Sequence, residues 1–287
     1  MMTRRMLRLT ALNIYPVKSC RGVAVSSAEV DVRGLVGDRR FLVTDASGAF
    51  LTQRAHPRMA LIETSLTADA LTLSSPNRGS VAVPLAYRLS PTATTTLRVV
   101  VWRDTVIADD CGPEPAEWLT KFLGLPCRLV RQGKDFSRPI PARRLPDTLV
   151  IRQSSRAEDA AHEVSFADGF PFLVISEESL ADLNRRLATS LPMNRFRPNL
   201  VIAGGAPYAE DALDRFRLGA VVFHGATRCG RCAVTTTDQL TAERGKEPLP
   251  TLATYRRDAE GDVTFGRNLI HETKSGTIRV GDRVELL

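Results

Sequence analysis

Through the first 130 residues, apolar and polar positions alternate with the period of strands rather than helices. Phe41-Leu42-Val43-Thr44 and Ala49-Phe50-Leu51-Thr52 flank Asp45-Ala46-Ser47-Gly48, which predicts a hairpin with turn chemistry at its tip. Leu61 to Leu66 and Ala70 to Ser74 are expected to pair around Thr67-Ala68-Asp69, and Leu97 to Trp102 with Thr105 to Ala108 around Arg103-Asp104. An earlier strand reads from Leu9 to Tyr15. One helix interrupts this series: Pro113-Glu114-Pro115 opens it, Trp118, Leu119, Phe122 and Leu123 stripe one face, and Gly124 stops it.

From Gly133 to Pro146 the chain is proline-rich and basic with little apolar periodicity, the pattern of an extended connector. Beyond it, Ser176 is placed to cap a helix whose first turn carries Glu177 and Glu178 and whose buried face carries Leu180, Leu183 and Leu187. Strands are expected at Asn199 to Ala203, Leu218 to Phe223 and Cys232 to Thr236. The chain closes with Thr277 to Val280, then Gly281-Asp282, then Arg283 to Leu286. Many short strands with few helices favour barrels over a doubly wound sheet. The expected fold is mainly β with a few helices (α+β) in two lobes, residues 7–130 and 131–287, with 131–149 as connector.

Composition narrows the class. In 287 residues, 43% hydrophobic and 25% charged exclude a disordered, collagen-like or disulfide-scaffold chain. No run approaches the roughly 18 apolar residues of a membrane span, and Met1 to Arg8 lacks a signal-peptide apolar region. The net charge is +7, from 39 basic and 32 acidic residues, and arginine dominates the basic set. Its planar fork suits phosphate and carboxylate. The arginines are dispersed rather than blocked, which points away from nucleic acid and toward a small anionic ligand or an acidic protein. Five irregularly spaced cysteines fit a reducing compartment.

Candidate chemistry lies in four strings. Arg228-Cys229-Gly230-Arg231-Cys232 suits a dithiol, half a zinc site or a thiolate held for a metal. The β-prone Ala233 to Thr237 weakens the dithiol, and no second ligand pair completes a zinc site. Both flanking arginines would favour thiolate. Two structural cysteines are the plain alternative. Lys18-Ser19, in Tyr15-Pro16-Val17-Lys18-Ser19-Cys20-Arg21-Gly22, reads as an anion-binding turn or as a solvated one. Asp38-Arg39 reads as a surface pair or part of a site, and Arg197 and Asn199 share a face if their strand starts early. Dinucleotide, P-loop and H-E-x-x-H patterns are absent, and none of His56, His162, His224 and His271 is assigned catalysis; His224 reads as half-buried on its strand.

Taken in order, these strings resemble the MOSC family. Ile14 to Gly22 and Gly34 to Phe41 look like its N-terminal β-barrel domain. Phe196-Arg197-Pro198-Asn199, Tyr208 to Asp211, Cys229 to Cys232, Lys246 to Leu249 and Val280-Gly281-Asp282 are similar to the MOSC domain itself. The match covers nearly the whole chain and is nearest to the amidoxime-reducing members. It implies a molybdenum-molybdopterin cofactor (Moco) held by one dithiolene and one cysteine thiolate, here Cys232. By the same resemblance Lys18, Ser19, Arg39, Arg197 and Asn199 meet the cofactor, and Cys232 is the catalytic metal ligand; the role of Cys229 stays open. The loop Asp168-Gly169-Phe170-Pro171 falls where the family approaches the cofactor, with Phe170 bulkier than the small residue of the mitochondrial relatives, and its contact stays open too.

The implied activity is reductive removal of oxygen from N-hydroxylated substrates such as hydroxylamines, amidoximes and N-hydroxylated nucleobases. The C-x₄-C-x₂-C run of a plant-type ferredoxin is absent, so electrons are expected from a separate ferredoxin, flavodoxin or cytochrome, in the cytoplasm and with no membrane or nucleic-acid partner. The alternative is a sulfur-carrier or cofactor-handling module with a Cys232 persulfide or thiolate.

Overall fold

The structure, a computed structural model, describes residues 6–76, 78–85, 95–149 and 162–287. Met1 to Arg5, the start of the basic N-terminal run, lie outside them. The first strands are β1 (Arg8–Ile14), β2 (Val23–Val25), β3 (Ser27–Asp31), β4 (Gly34–Leu35) and β5 (Phe41–Asp45). They are followed by β6 (Glu63–Leu66), β7 (Ala70–Ser75), β8 (Gly79–Pro84), β9 (Thr96–Val101), β10 (Asp104–Asp110), helix α1 (Pro113–Leu123) and β11 (Cys127–Arg131). The second half supplies β12 (Phe172–Ser176), α2 (Glu177–Asn184), β13 (Leu200–Ala203), β14 (Arg215–Leu218) and β15 (Val221–Gly230). It ends with α3 (Leu249–Ala253), β16 (Thr264–His271), β17 (Gly276–Arg279) and β18 (Val284–Leu286). The molecule is mainly β, as its alternating pattern requires.

The largest sheet has eight strands in the order β18-β14-β15-β16-β12-β13-β1-β2. It curls back on itself. Leu9 N donates to Asp282 O (2.9 Å) and Val284 N to Leu7 O (2.9 Å), which ties β1 to the segment entering β18. Closure removes the exposed edge on that side. Inside lie Leu9, Leu12, Ile14, Phe172, Val174, Phe216 and Phe223, all buried. Only β12 and β13 in this sheet pair in parallel, and α2 makes the crossover that parallel strands need. Ser176 caps α2 as expected, accepting from Ser179 N at 3.0 Å.

In the first half, the sheet β5-β11-β10-β9 and the hairpins β6-β7-β8 pack with α1 around Phe41, Val43, Met59, Leu71, Leu119 and Leu129. Gly124, at φ +76°, ends α1 as its sequence required. The sheets cut across a division at residue 130. Strands β1 and β2 belong to the large sheet, and β3 pairs with β17. The chain therefore starts in the second half's barrel and meets the first half at Tyr15 to Lys18, where Lys18 N donates to Phe41 O (2.9 Å); it returns through β2 and β3 and enters the first half's sheets at β5.

Several local expectations fail for identifiable reasons. Leu218 to Phe223 is a hairpin, β14–β15, broken at Gly219, whose φ of +57° and lack of a side chain allow Thr277 O to sit 2.8 Å from where a Cβ would be. The two closing segments become β17 and β18, which join β3 and β14 in different sheets. Asp282 makes the corner by accepting from Arg279 N at 2.8 Å. Cys232 to Thr236 is not a strand: Ala233–Thr236 is a 3-10 turn. There Thr235 Oγ1 donates to Cys232 O and Thr236 Oγ1 to Ala233 O, each at 2.9 Å, so the threonines satisfy local backbone rather than a ladder. His224 is fully buried rather than half-buried, bonded to Thr148 and Glu272 at 2.9 and 3.0 Å.

Candidate active site

The meeting of the halves at Tyr15 to Lys18 places the first half's chemistry against the second half's. A cleft of about 150 Å³, open to solvent, is lined by Lys18, Ser19 and Arg39 from one side and by Arg197, Asn199, Cys229 and Cys232 from the other. Every residue singled out from sequence as a cofactor contact lines it. Arg54, Arg231, Thr52, Asp168, Phe170 and Asn268 also line it, and of these Arg54 carried no sequence signal beyond its charge.

The inner wall is built on Tyr15. Its ring is buried at 4% exposure, with the guanidinium carbons of Arg39 and Arg197 each 4.3 Å from its centroid. The phenol donates to Pro198 O (3.1 Å), and burial pushes its pKa up to about 12 against the lowering effect of the two arginines. Gly22 makes room, because a Cβ there would fall 2.4 Å from the ring. Arg39 and Arg197 both take left-handed backbone, at φ +48° and +57°. That cost is of the size found where a fold fixes a functional side chain. Arg197 therefore precedes β13 rather than lying on an early-starting strand, so the shared face with Asn199 is replaced by a turn.

Asp38 and Arg39 are not a surface pair. The Asp38 side chain is 3% exposed and that of Arg39 13%, and they bond at 2.6 Å while Asp38 Oδ1 accepts from Tyr15 N at 2.8 Å. Asn199 is buried, and its Oδ1 accepts from Arg39 (2.9 Å) and Leu173 N (3.3 Å) while its Nδ2 donates to Asn13 O (3.2 Å). Its amide thus orients Arg39 across the junction. Arg197 donates to Cys20 O at 2.7 Å, and burial lowers its pKa to about 10.

Lys18 is buried, not solvated. Its ammonium donates to Phe166 O (2.8 Å) and pairs with Asp168. Burial lowers its pKa, and the Asp168 carboxylate opposes that shift. Arg138 shapes the Asp168 loop by donating to Ser165 O (2.9 Å) and Asp168 O (3.1 Å), and Phe170 from the same loop lines the cleft.

The two thiols differ. Arg231 donates to Cys229 Sγ at 3.0 Å and to Phe196 O at 2.7 Å. Arg228 turns away to Asp211 at 3.3 Å, so one arginine, not both, addresses a thiol, and that thiol is Cys229. Cys232 presents its side chain from extended backbone (φ −128°) at the start of the 3-10 turn, with its carbonyl held by Thr235. Both cysteines are free of disulfides and half-buried.

This fold and cleft define a class: a two-lobed β protein whose residues 6–126 match the MOSC N-terminal beta barrel domain and whose residues 161–285 match the MOSC domain. Mitochondrial amidoxime-reducing component 1 of Homo sapiens is 37% identical over 99% of this chain and 85% of its own length. Mitochondrial amidoxime reducing component 2 of Bos taurus is 32% identical, over 96% of this chain and 82% of its own. Molybdenum cofactor sulfurase of Danio rerio is 33% identical over 92% of this chain, which spans 32% of that longer protein. The chain belongs to the MOSC family that includes the amidoxime-reducing components.

The residues present fit the molybdenum cofactor that the resemblance implies. Among the described residues no cluster of three or more His, Cys, Asp or Glu side chains can hold a metal. A metal beside Cys232 would therefore bring most of its ligands with it, as a dithiolene-bound metal does. Lys18, Ser19, Arg39 and Arg197 bring an ammonium, a hydroxyl and two forks to the cleft, donor types that suit a phosphate.

Proposed function

We propose that this protein is a molybdenum-cofactor-dependent reductase of N-hydroxylated compounds, supplied with electrons by a separate redox protein. The reading rests on one observation: cationic residues from both halves of the chain and the Cys232 thiol line one cleft. When bound, the cofactor supplies two-electron chemistry that takes oxygen from an N–OH group and yields water. Cys232 holds the metal as thiolate, and its soft sulfur sets the metal's electronics in a way that a serine oxygen would not reproduce. Arg39 and Arg197, fixed on Tyr15, bind the phosphate end together with Lys18 and Ser19. Asn199 and Asp38 keep the Arg39 fork aimed across the junction. A net charge of +7 favours an acidic electron donor, whose encounter with the protein would slow with added salt.

The test is molybdenum content and amidoxime reduction in protein from a host able to make the cofactor. Wild type is expected to carry about one molybdenum per chain; C232S is expected to stay folded and lose both metal and activity, and C229S to keep the metal. Full activity in C232S would overturn the assignment. The sulfurase relatives motivate the second reading, a Cys232 persulfide carrier. It predicts cyanide-releasable sulfur on Cys232 and no amidoxime turnover.

A further inference from the structure

The cleft has a second arginine mounted on an aromatic ring, at its mouth. Trp102 sits at the tip of the β9–β10 hairpin with φ +62°, a left-handed conformation that a bulky residue adopts at a cost. It remains 41% exposed. Its indole N–H donates to Asp168 Oδ1 at 3.0 Å, and the guanidinium carbon of Arg54 lies 4.0 Å from its ring centroid. Arg54 is fixed from behind as well, because Arg244 donates to its carbonyl at 3.0 Å and to that of Gln53 at 2.6 Å.

Asp168 feels the Arg54 charge through space, but its direct ion pair is with Lys18. Arg39 pairs with Asp38. Arg54 lines the cleft yet forms no salt bridge among the described residues. A guanidinium held over an aromatic ring still has N–H donors to offer, and its planar fork matches a carboxylate. A resident cofactor belongs to the buried Tyr15 wall, whereas an exchanging ligand must pass the half-exposed mouth.

We propose that Arg54, propped on Trp102, is a specificity-determining residue that binds a carboxylate on the substrate and turns its N–OH end into the cleft. The role of substrate rests on the reductase reading; the anion site itself does not. The chain has two tryptophans, Trp102 and Trp118, so a W118F background makes Trp102 the sole fluorescent reporter of the mouth.

In that molybdenum-loaded protein, benzamidoxime and its 4-carboxylate are titrated and turned over, with and without R54Q and R54K. The carboxylate is expected to perturb Trp102 emission at lower concentration than the neutral compound and to be preferred in kcat/KM through a lower KM. R54Q should reduce that preference about tenfold, R54K less. Equal losses on both substrates, an unchanged preference, or loss of molybdenum from R54Q would each overturn the proposal; the last would assign Arg54 to the cofactor. If the carboxylate perturbs Trp102 through Arg54 but neither compound is reduced, the anion site stands and the reductase reading falls. Reduction of both with no carboxylate preference leaves the reductase and removes the anion site.

Discussion

Two aromatic rings carry arginines in this cleft, and they are built in opposite ways. Tyr15 is buried between Arg39 and Arg197, residues 158 positions apart, and Asp38, Asn199 and Pro198 lock the assembly at the junction of the two halves. Trp102 stands on a hairpin tip, 41% exposed, with one arginine on its face and one carboxylate on its edge. Burial makes the inner site strong and permanent, because each desolvated group must find its partner. Exposure makes the outer site weak and exchangeable, because water competes for every bond. A cleft that keeps one ligand and exchanges another needs both kinds of wall.

The contrast breaks most visibly at Asp38. Replacing it by alanine leaves Arg39 without its buried counter-charge and Tyr15 N without its acceptor. D38A should cost about 3 kcal/mol or more in urea unfolding and release the cofactor. A loss under 1 kcal/mol would mean that the inner wall is no more tightly coupled than the outer.

Tyr15 adds an alkaline limit that the outer site lacks. Its phenol titrates near 10 when unfolded and about 12 when folded, so the folded state binds the extra proton between those values. The stabilisation from Tyr15 is complete below pH 10 and lost as pH rises toward 12, an effect of about 2–3 kcal/mol. Unfolding measured across that range should fall less steeply in Y15F; parallel slopes would place the phenol in water. The smallest effect is expected at Trp102. W102G loses the arginine stack and the bond to Asp168 but relieves the left-handed strain, and these offset to within about 1 kcal/mol. A larger loss by thermal unfolding would show that the mouth, too, is structural.

Much of this site was legible as strings and little of it as geometry. Ser176 and Gly124 mark helix ends because caps are local chemistry. The hairpin around Asp45 to Gly48 is legible for the same reason, since Asp45 Oδ1 accepts from Ser47 N (2.8 Å) and Ala49 N (3.0 Å). The Cys232 to Thr236 run misleads because β-branched composition speaks for a strand while threonine hydroxyls serve a turn equally well. Arg54 and Tyr15 had no distinctive spacing. Nothing in a lone arginine reveals that a tryptophan 48 positions later will sit against its face at 4.0 Å.

By itself the sequence determined a mainly β chain, its principal caps and turns, and the family resemblance that named Lys18, Ser19, Arg39, Arg197, Asn199 and Cys232. These follow from interactions over a few residues or from ordered motifs. Only tertiary structure decided that β1 belongs to the second half's barrel, that the two halves meet at Tyr15, and which thiol Arg231 addresses. Pairing and burial join residues more than a hundred positions apart, and whether a charge such as Lys18 is solvated or desolvated depends on what the rest of the chain packs around it.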